Sequence, residues 1–213
     1  MNINLKKRIN LSLISFLTIG LLSACGQDTK DVSIDETKQE TKESSSNLTN
    51  SKEKKESKLG SRTNPVPFQK TATVDDEIIN DNGDSFKIKL DLTVTEVVRG
   101  EAAYNKLYEM NEFNEKAPEG YEWVLTKTKV KLTESETDDL AFLVDGIVNF
   151  SMVSENGDIY SGDITATTEP DFSFEMYTGN EKEGYIANLV KTGEKAQLRY
   201  ENMLDGQVFF NLQ

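Results

Sequence analysis

The clearest pattern in the chain is an alternation that starts at Phe86. Phe86, Ile88, Leu90, Leu92 and Val94 are apolar, while Lys87, Lys89, Asp91 and Thr93 between them are polar. A period of two is that of a strand with one buried face. The phase slips at Val97-Val98, which predicts a bulge, and Arg99-Gly100 closes the strand. Upstream, a first strand falls near Lys70 to Ile79, entered through the extended Asn64-Pro65-Val66-Pro67. Asp81-Asn82-Gly83-Asp84 joins the two strands and predicts a type I′ hairpin, since Asn-Gly supplies the two positive φ values that this turn needs. The period then changes. Ala103, Leu107 and Met110 stand at i, i+4 and i+7, which predicts one short amphipathic helix from Glu101 to about Met110.

Alternation resumes with Val124, Thr126, Thr128, Val130 and Leu132 on one face and Trp123, Leu125, Lys127, Lys129 and Lys131 on the other. The lysine row reads as a solvated face that discourages edge pairing, and the alternative is a basic stripe turned toward a ligand. Shorter strands fit Leu140 to Val144, Ile147 to Val153, Ile159 to Ser161, Phe172 to Met176, Tyr185 to Val190, Ala196 to Glu201 and Val208 to Leu212. Turns at Asp145-Gly146, Asn156-Gly157, Thr192-Gly193 and Asp205-Gly206 separate them. Many short strands with frequent turns predict an all-β fold, a β-sandwich ahead of a barrel, with one short helical insertion. The 153 residues from Ser61 to Gln213 suffice for one core.

The first 24 residues follow a different rule. Lys6, Lys7 and Arg8 precede an apolar run from Leu11 to Leu22, the layout of a signal peptide. The run is far shorter than the roughly 20 residues a helix needs to cross a bilayer, which weighs against a permanent transmembrane anchor. Leu22, Ser23, Ala24 and Cys25 resemble the lipobox of bacterial lipoproteins, in which the cysteine is lipidated and becomes the first residue after cleavage. Cys25 is the only cysteine, so no disulfide forms within one chain. The expected location is the extracytoplasmic face of the cell membrane, held through lipid on Cys25. Two acyl chains anchor stably where one is marginal. Residues 25–60 are nearly all polar or charged and lack aromatics, which predicts a disordered tether. Lys and Glu crowd Asn50 to Leu59, where a short solvated helix is the alternative.

Charge narrows the partners. The whole chain carries a net −13, and Ser61 to Gln213 holds 14 basic and 29 acidic residues. Such a surface repels phosphate backbones, so no nucleic-acid partner is expected. An unidentified protein or cell-wall partner remains. There is no histidine and no free cysteine beyond Cys25, which removes Ser-His-Asp and Cys-His catalysis. No phosphate loop or nucleophile-elbow motif occurs, no cofactor is implied, and the chain is not expected to be an enzyme. Calcium is the metal to consider, because Asp75-Asp76-Glu77, Asp81 with Asp84, Asp138-Asp139 and Asp158 with Asp163 fall in or beside predicted turns, though none follows the EF-hand order. Tyr104, Tyr108, Phe113 and Tyr121, with Trp123 beyond them, form either an aromatic partner-binding patch around the insertion or a cap on the end of the core. The insertion has more acids than lysines, which suits a cationic or sugar-like partner.

Arg99-Gly100-Glu101-Ala102, Asn111-Glu112-Phe113-Asn114, Pro118-Glu119-Gly120-Tyr121-Glu122 and Tyr177-Thr178-Gly179 through Gly184-Tyr185 resemble the telokin-like, immunoglobulin-like domain of unknown function found at the C-termini of Gram-positive lipoproteins. The resemblance covers Asn64 to the C-terminus and implies an immunoglobulin-like β-sandwich with a small helical insertion. It implies no activity. Paired core cysteines of the antibody kind are absent, so packing alone must hold the sheets. The expected function is a non-catalytic recognition domain that binds through its loops, with an accessory subunit of an envelope complex as the alternative and an envelope hydrolase third.

Overall fold

The computed structural model describes residues 57–160, 164–204 and 206–213. The expected signal peptide, the lipobox-like stretch with Cys25 and nearly all of the expected tether lie outside the described residues, as does Asp163.

Among the described residues, ten strands and one helix follow one another in the order β1 (Thr71–Ile79), β2 (Ser85–Arg99), α1 (Gly100–Met110), β3 (Tyr121–Ser135), β4 (Phe142–Asp145), β5 (Phe150–Ser154), β6 (Ile159–Tyr160), β7 (Ser173–Met176), β8 (Glu181–Lys191), β9 (Ala196–Glu201) and β10 (Gln207–Phe210). One antiparallel sheet has the order β1-β2-β3-β8, a second has β10-β9-β5-β6, and β4 pairs with β7 in a small third sheet. The protein is an all-β sandwich with a single short helix, as the alternations predict.

The core between the sheets is drawn from one face of each strand. Ile88, Leu90, Leu92 and Val94 of β2 meet Val124, Val130 and Leu132 of β3, Ile186 and Val190 of β8, and Phe150, Met152, Leu198, Tyr200 and Val208 of the opposite sheet. Burying each such side chain contributes on the order of 1.5–3 kcal/mol. Residues before β1 join the same body: Val66 donates its backbone N–H to Phe209, and Asn211 donates to Val66.

Three expectations need correction. The β1–β2 turn is a hairpin but not type I′. The N–H of Gly83 donates to the Asn80 carbonyl, and Gly83 alone in the turn has positive φ, +84°, because the Asn80 side chain accepts the N–H groups of Asn82 and Asp84 and draws the loop into a five-residue form. The bulge in β2 falls between Val94 and Glu96 rather than at Val97-Val98. After it the phase is reversed, so Val97 packs on the main core while Val98 turns to the outer face.

The outer face supplies the third correction. Trp123 and Leu125 share the face of the β3 lysines, yet both are fully buried, because α1 lies across that end of the sheet. Ala103 and Leu107 of α1 form a second apolar cluster with Trp123 and Leu125, supported by Tyr185, Ala187 and Leu189 of β8. The aromatic residues of the insertion therefore do not cap the end of the core. Trp123 belongs to this outer cluster and not to the core between the sheets, where an antibody-type tryptophan would sit.

Further along β3 the lysines face solvent and pair with β8 glutamates, Lys127 with Glu183 at 3.2 Å and Lys129 with Glu181 at 3.5 Å. The solvated-face reading of the lysine row holds. Both members of the Lys129 pair are well exposed, so Lys129→Gln is expected to change the unfolding free energy by less than about 0.5 kcal/mol. Urea titration checks this, and a loss above about 1 kcal/mol would contradict it.

Candidate functional site

A cleft of about 710 Å³ opens beside β8. One wall is the loop after α1, with Phe113, Asn114 and Glu115. The segment from Ile164 to Ser173 forms a second wall, the turn at Asp145 to Ile147 lines the cleft as well, and Phe150, Ile186 and Asn188 of the sheets complete it.

Asn114 builds the first wall. Its side chain is buried, donates to Leu107 O at 2.7 Å and to Thr167 O at 2.8 Å, and accepts the N–H of Thr167 at 2.8 Å. One amide thus ties the last turn of α1 to the second wall, and the indole of Trp123 donates to Glu115 O at 3.0 Å. The second wall is pinned to β8, because Tyr185 donates its N–H to Pro170 O at 2.8 Å and accepts the Thr168 hydroxyl at 2.9 Å. Phe172 is buried edge-on against Phe150, with centroids 5.2 Å apart.

Two features of this cleft are chemical. All four charged residues that line it are acidic: Glu115, Asp145, Glu169 and Asp171. Asp145 is used internally, as its Oδ1 accepts the N–H groups of Ile147 and Val148, whereas no described ion pair engages Glu115, Glu169 or Asp171. The side chain of Asn188 is about nine-tenths buried and its Oδ1 has no hydrogen-bond partner. A buried amide left unpaired costs about 1–3 kcal/mol, so its presence among apolar neighbours calls for an explanation.

The aromatic patch expected from sequence is only partly assembled. Tyr104 and Tyr108 are neighbours on α1, 6.1 Å between centroids, with Lys116 over the Tyr104 ring. Tyr108 and Tyr121 are about half exposed, and neither lines the cleft. Phe113 does line it, at 83% exposure the most exposed large apolar side chain described. Sequence reasoning missed Asn114 and Asn188. Asn188 was detectable, since it occupies the inward phase of β8 between Ile186 and Val190.

The calcium candidates are dispersed. Asp76 is buried and accepts the Tyr200 hydroxyl, Asp84 accepts from Asn80, and Asp158 lies 3.9 Å from Lys191. Among the described residues no group of three or more acidic side chains converges where it could hold a metal ion. No described helix is long and apolar enough to cross a membrane.

A second groove, about 650 Å³ and more apolar, lies against β4 and β7, with Ile79, Leu143, Val148 and Met203 exposed along it.

No family model matches the chain, and no curated protein matches it. Two solved structures are similar to it. One is ycdA from Bacillus subtilis subsp. subtilis str. 168, described as a "putative lipoprotein", 14% identical, with 63% of this chain and 37% of that one covered at a TM-score of 0.37. The other is a β-sandwich protein described as uncharacterized (CD630_09570) from Clostridium difficile 630, 12% identical, with 78% of this chain and 100% of that one covered at a TM-score of 0.37. The chain spans little more than a third of the length of the first of these.

Proposed function

We propose that the protein is an exported lipoprotein, anchored through Cys25 to the extracytoplasmic face of the cell membrane, that presents a non-catalytic recognition domain on a polar tether. The domain is read as telokin-like and immunoglobulin-like in the Gram-positive manner of the resemblance above. The observation that carries recognition is the amide of Asn188, buried in an acidic cleft with its oxygen unpartnered. Among the described residues Ser61, Thr128 and Gln197 also hold a buried side-chain atom without a partner, but Asn188 alone of the four lines this cleft, where a ligand with hydrogen-bonding groups would satisfy its amide. The cleft is built from a loop and an irregular segment held on rigid sheets, the usual setting for recognition.

Membrane attachment is tested first. Cys25→Ala is expected to move the protein from the membrane fraction to the soluble fraction, while the parent chain carries an acyl adduct by mass spectrometry. Retention of the variant through a high-salt wash, with no adduct on the parent, would overturn the anchor. Recognition is tested by crosslinking in intact cells: partner recovery should fall in Asn188→Leu. If recovery falls instead in Leu143→Ser with Val148→Ser, the apolar groove is the contact surface. That groove favours the second reading, an accessory subunit of an envelope complex.

A further inference from the structure

We infer that the cleft takes an extended, lysine- or arginine-bearing peptide laid along the free edge of β8; the inference rests on the recognition reading above and names its partner class. β8 ends its sheet, so alternate residues turn their backbone groups away from β3. The phase is set by hydrogen bonds at both ends of the ladder, from Leu132 to Asn180 and from Thr192 to Gly120, which place the even-numbered residues of β8 against β3 and the odd-numbered ones outward. Of the outward residues, Tyr185 is occupied by Pro170 and Thr168, and the N–H of Lys191 reaches the Tyr160 hydroxyl at 3.4 Å. Between them, the backbone groups of Ala187 and Leu189 have no partner among the described residues. Unpaired edge groups at a two-residue spacing are what an added strand uses.

Charge decides which peptide. Glu115, Glu169 and Asp171 line the cleft without an ion pair, and no lysine or arginine lines it. The three carboxylates come from two separate segments, Glu115 from the loop after α1 and Glu169 and Asp171 from the segment before β7, which suits a partner carrying more than one positive charge. Asn188 lies between the two open edge residues, and its nearly buried side chain, which lines the cleft, carries an amide of the kind that pairs with a peptide unit. An amino sugar would satisfy the carboxylates but lacks the repeating N–H and C=O groups that the edge presents.

The test uses the full-length protein in detergent micelles and a fluorescein-labelled octapeptide of alternating lysine and valine, read by anisotropy at low and high sodium chloride. Saturable binding is expected, with Kd rising about tenfold or more at high salt because the three carboxylates are exposed and screened. A rise of about tenfold (~1.4 kcal/mol) is also expected in Glu115→Gln with Glu169→Gln, whose melting should match the parent, and for the same peptide N-methylated at alternate backbone nitrogens. Equal affinity for the N-methylated peptide would overturn docking on the β8 edge. Binding of a chitosan hexamer without binding of the peptide would overturn the peptide assignment and leave recognition standing. If neither binds, this inference fails, and crosslinking decides the broader reading: recovery lost in Asn188→Leu keeps it, and recovery unchanged removes it.

Discussion

Asp76→Ala is expected to destabilise the fold by about 3–5 kcal/mol, read by urea unfolding at neutral pH. Asp76 sits on the inward face of β1 between Val74 and Ile78, 1% exposed, where an alternating strand should place an apolar residue. Its Oδ2 accepts the hydroxyl of the fully buried Tyr200. Its Oδ1 accepts the N–H of Glu77 at 2.8 Å and of Met203 at 3.3 Å. Alanine would leave the Tyr200 hydroxyl without its acceptor in a core where the ring packs on Phe150, and would remove one of the two bonds from the turn after β9 to Asp75 and Asp76 of β1, leaving that of Asn202 to Asp75 O. Orphaning a buried donor costs more than the bond was worth. Asp76→Asn keeps an acceptor oxygen and is expected to lose less than half as much. Equal losses for the two variants would mean that the hydrogen bonds are not what the position supplies.

The same carboxyl gives a pH signature. Burial is the largest influence and raises the Asp76 pKa above its ordinary 3.8, while the hydrogen bonds from Tyr200, Glu77 and Met203 pull it down. A raised acid binds its proton more tightly in the native state than in the unfolded chain, so stability falls as pH rises from about 3.8 through the native value. The contribution of the protonated group is fully present below 3.8 and lost above that window. Asp76→Asn should flatten this part of the profile. Glu183 acts in the opposite sense: the Thr95 hydroxyl first, and then Lys127, lower its pKa below 4.5, so its contribution is present above that value and lost as pH falls. The group is largely solvated, so its effect is the smaller.

These residues also mark where sequence pattern suffices and where it stops. Every predicted strand exists, because an alternation such as Ile88-Leu90-Leu92 admits no other way to bury one face. The helix is found for the same reason, from Ala103 and Leu107. What pattern cannot give is the partner of each face. The outward row of β3 reads as one solvated surface, yet Trp123 and Leu125 lie under α1 and the lysines do not, which depends on where the insertion folds back. Asp75-Asp76-Glu77 groups by composition with acids in or beside turns, yet it lies within the predicted strand near Lys70 to Ile79, where the phase of Ala72, Val74 and Ile78 already points Asp76 inward. Asn114 is an ordinary amide by sequence, and Asn188 is marked only by its inward position between Ile186 and Val190. Their roles arise from contacts with Thr167, 53 residues away, and from the open edge of β8.

Gly184→Ala is expected to lower stability by about 2–4 kcal/mol and to weaken whatever the cleft binds. Glycine inside a strand normally costs about 0.5–1 kcal/mol against alanine, so in an open position the substitution would stabilise. Gly184 is not open. A Cβ there would stand 2.2 Å from Asp171 O, 2.6 Å from Asp171 C and 2.8 Å from Phe172 N, all backbone atoms that no rotamer change can move. That segment is held from several sides, by the Tyr185 N–H on Pro170, by the Thr168 hydroxyl on Tyr185, and by Gly146 donating to Phe172 O at 2.6 Å. Relief requires the wall to lift away from β8. Phe172 would then leave its packing between Phe150 and Phe174, centroids 5.2 and 5.1 Å away, and Asp171 would shift relative to Asn188 in the cleft. Stability and ligand affinity should therefore fall together in this variant, unlike Glu169→Gln, which should affect affinity alone. An alanine variant as stable as the parent would show that the 169–172 segment yields freely, and with it the wall on which the cleft depends.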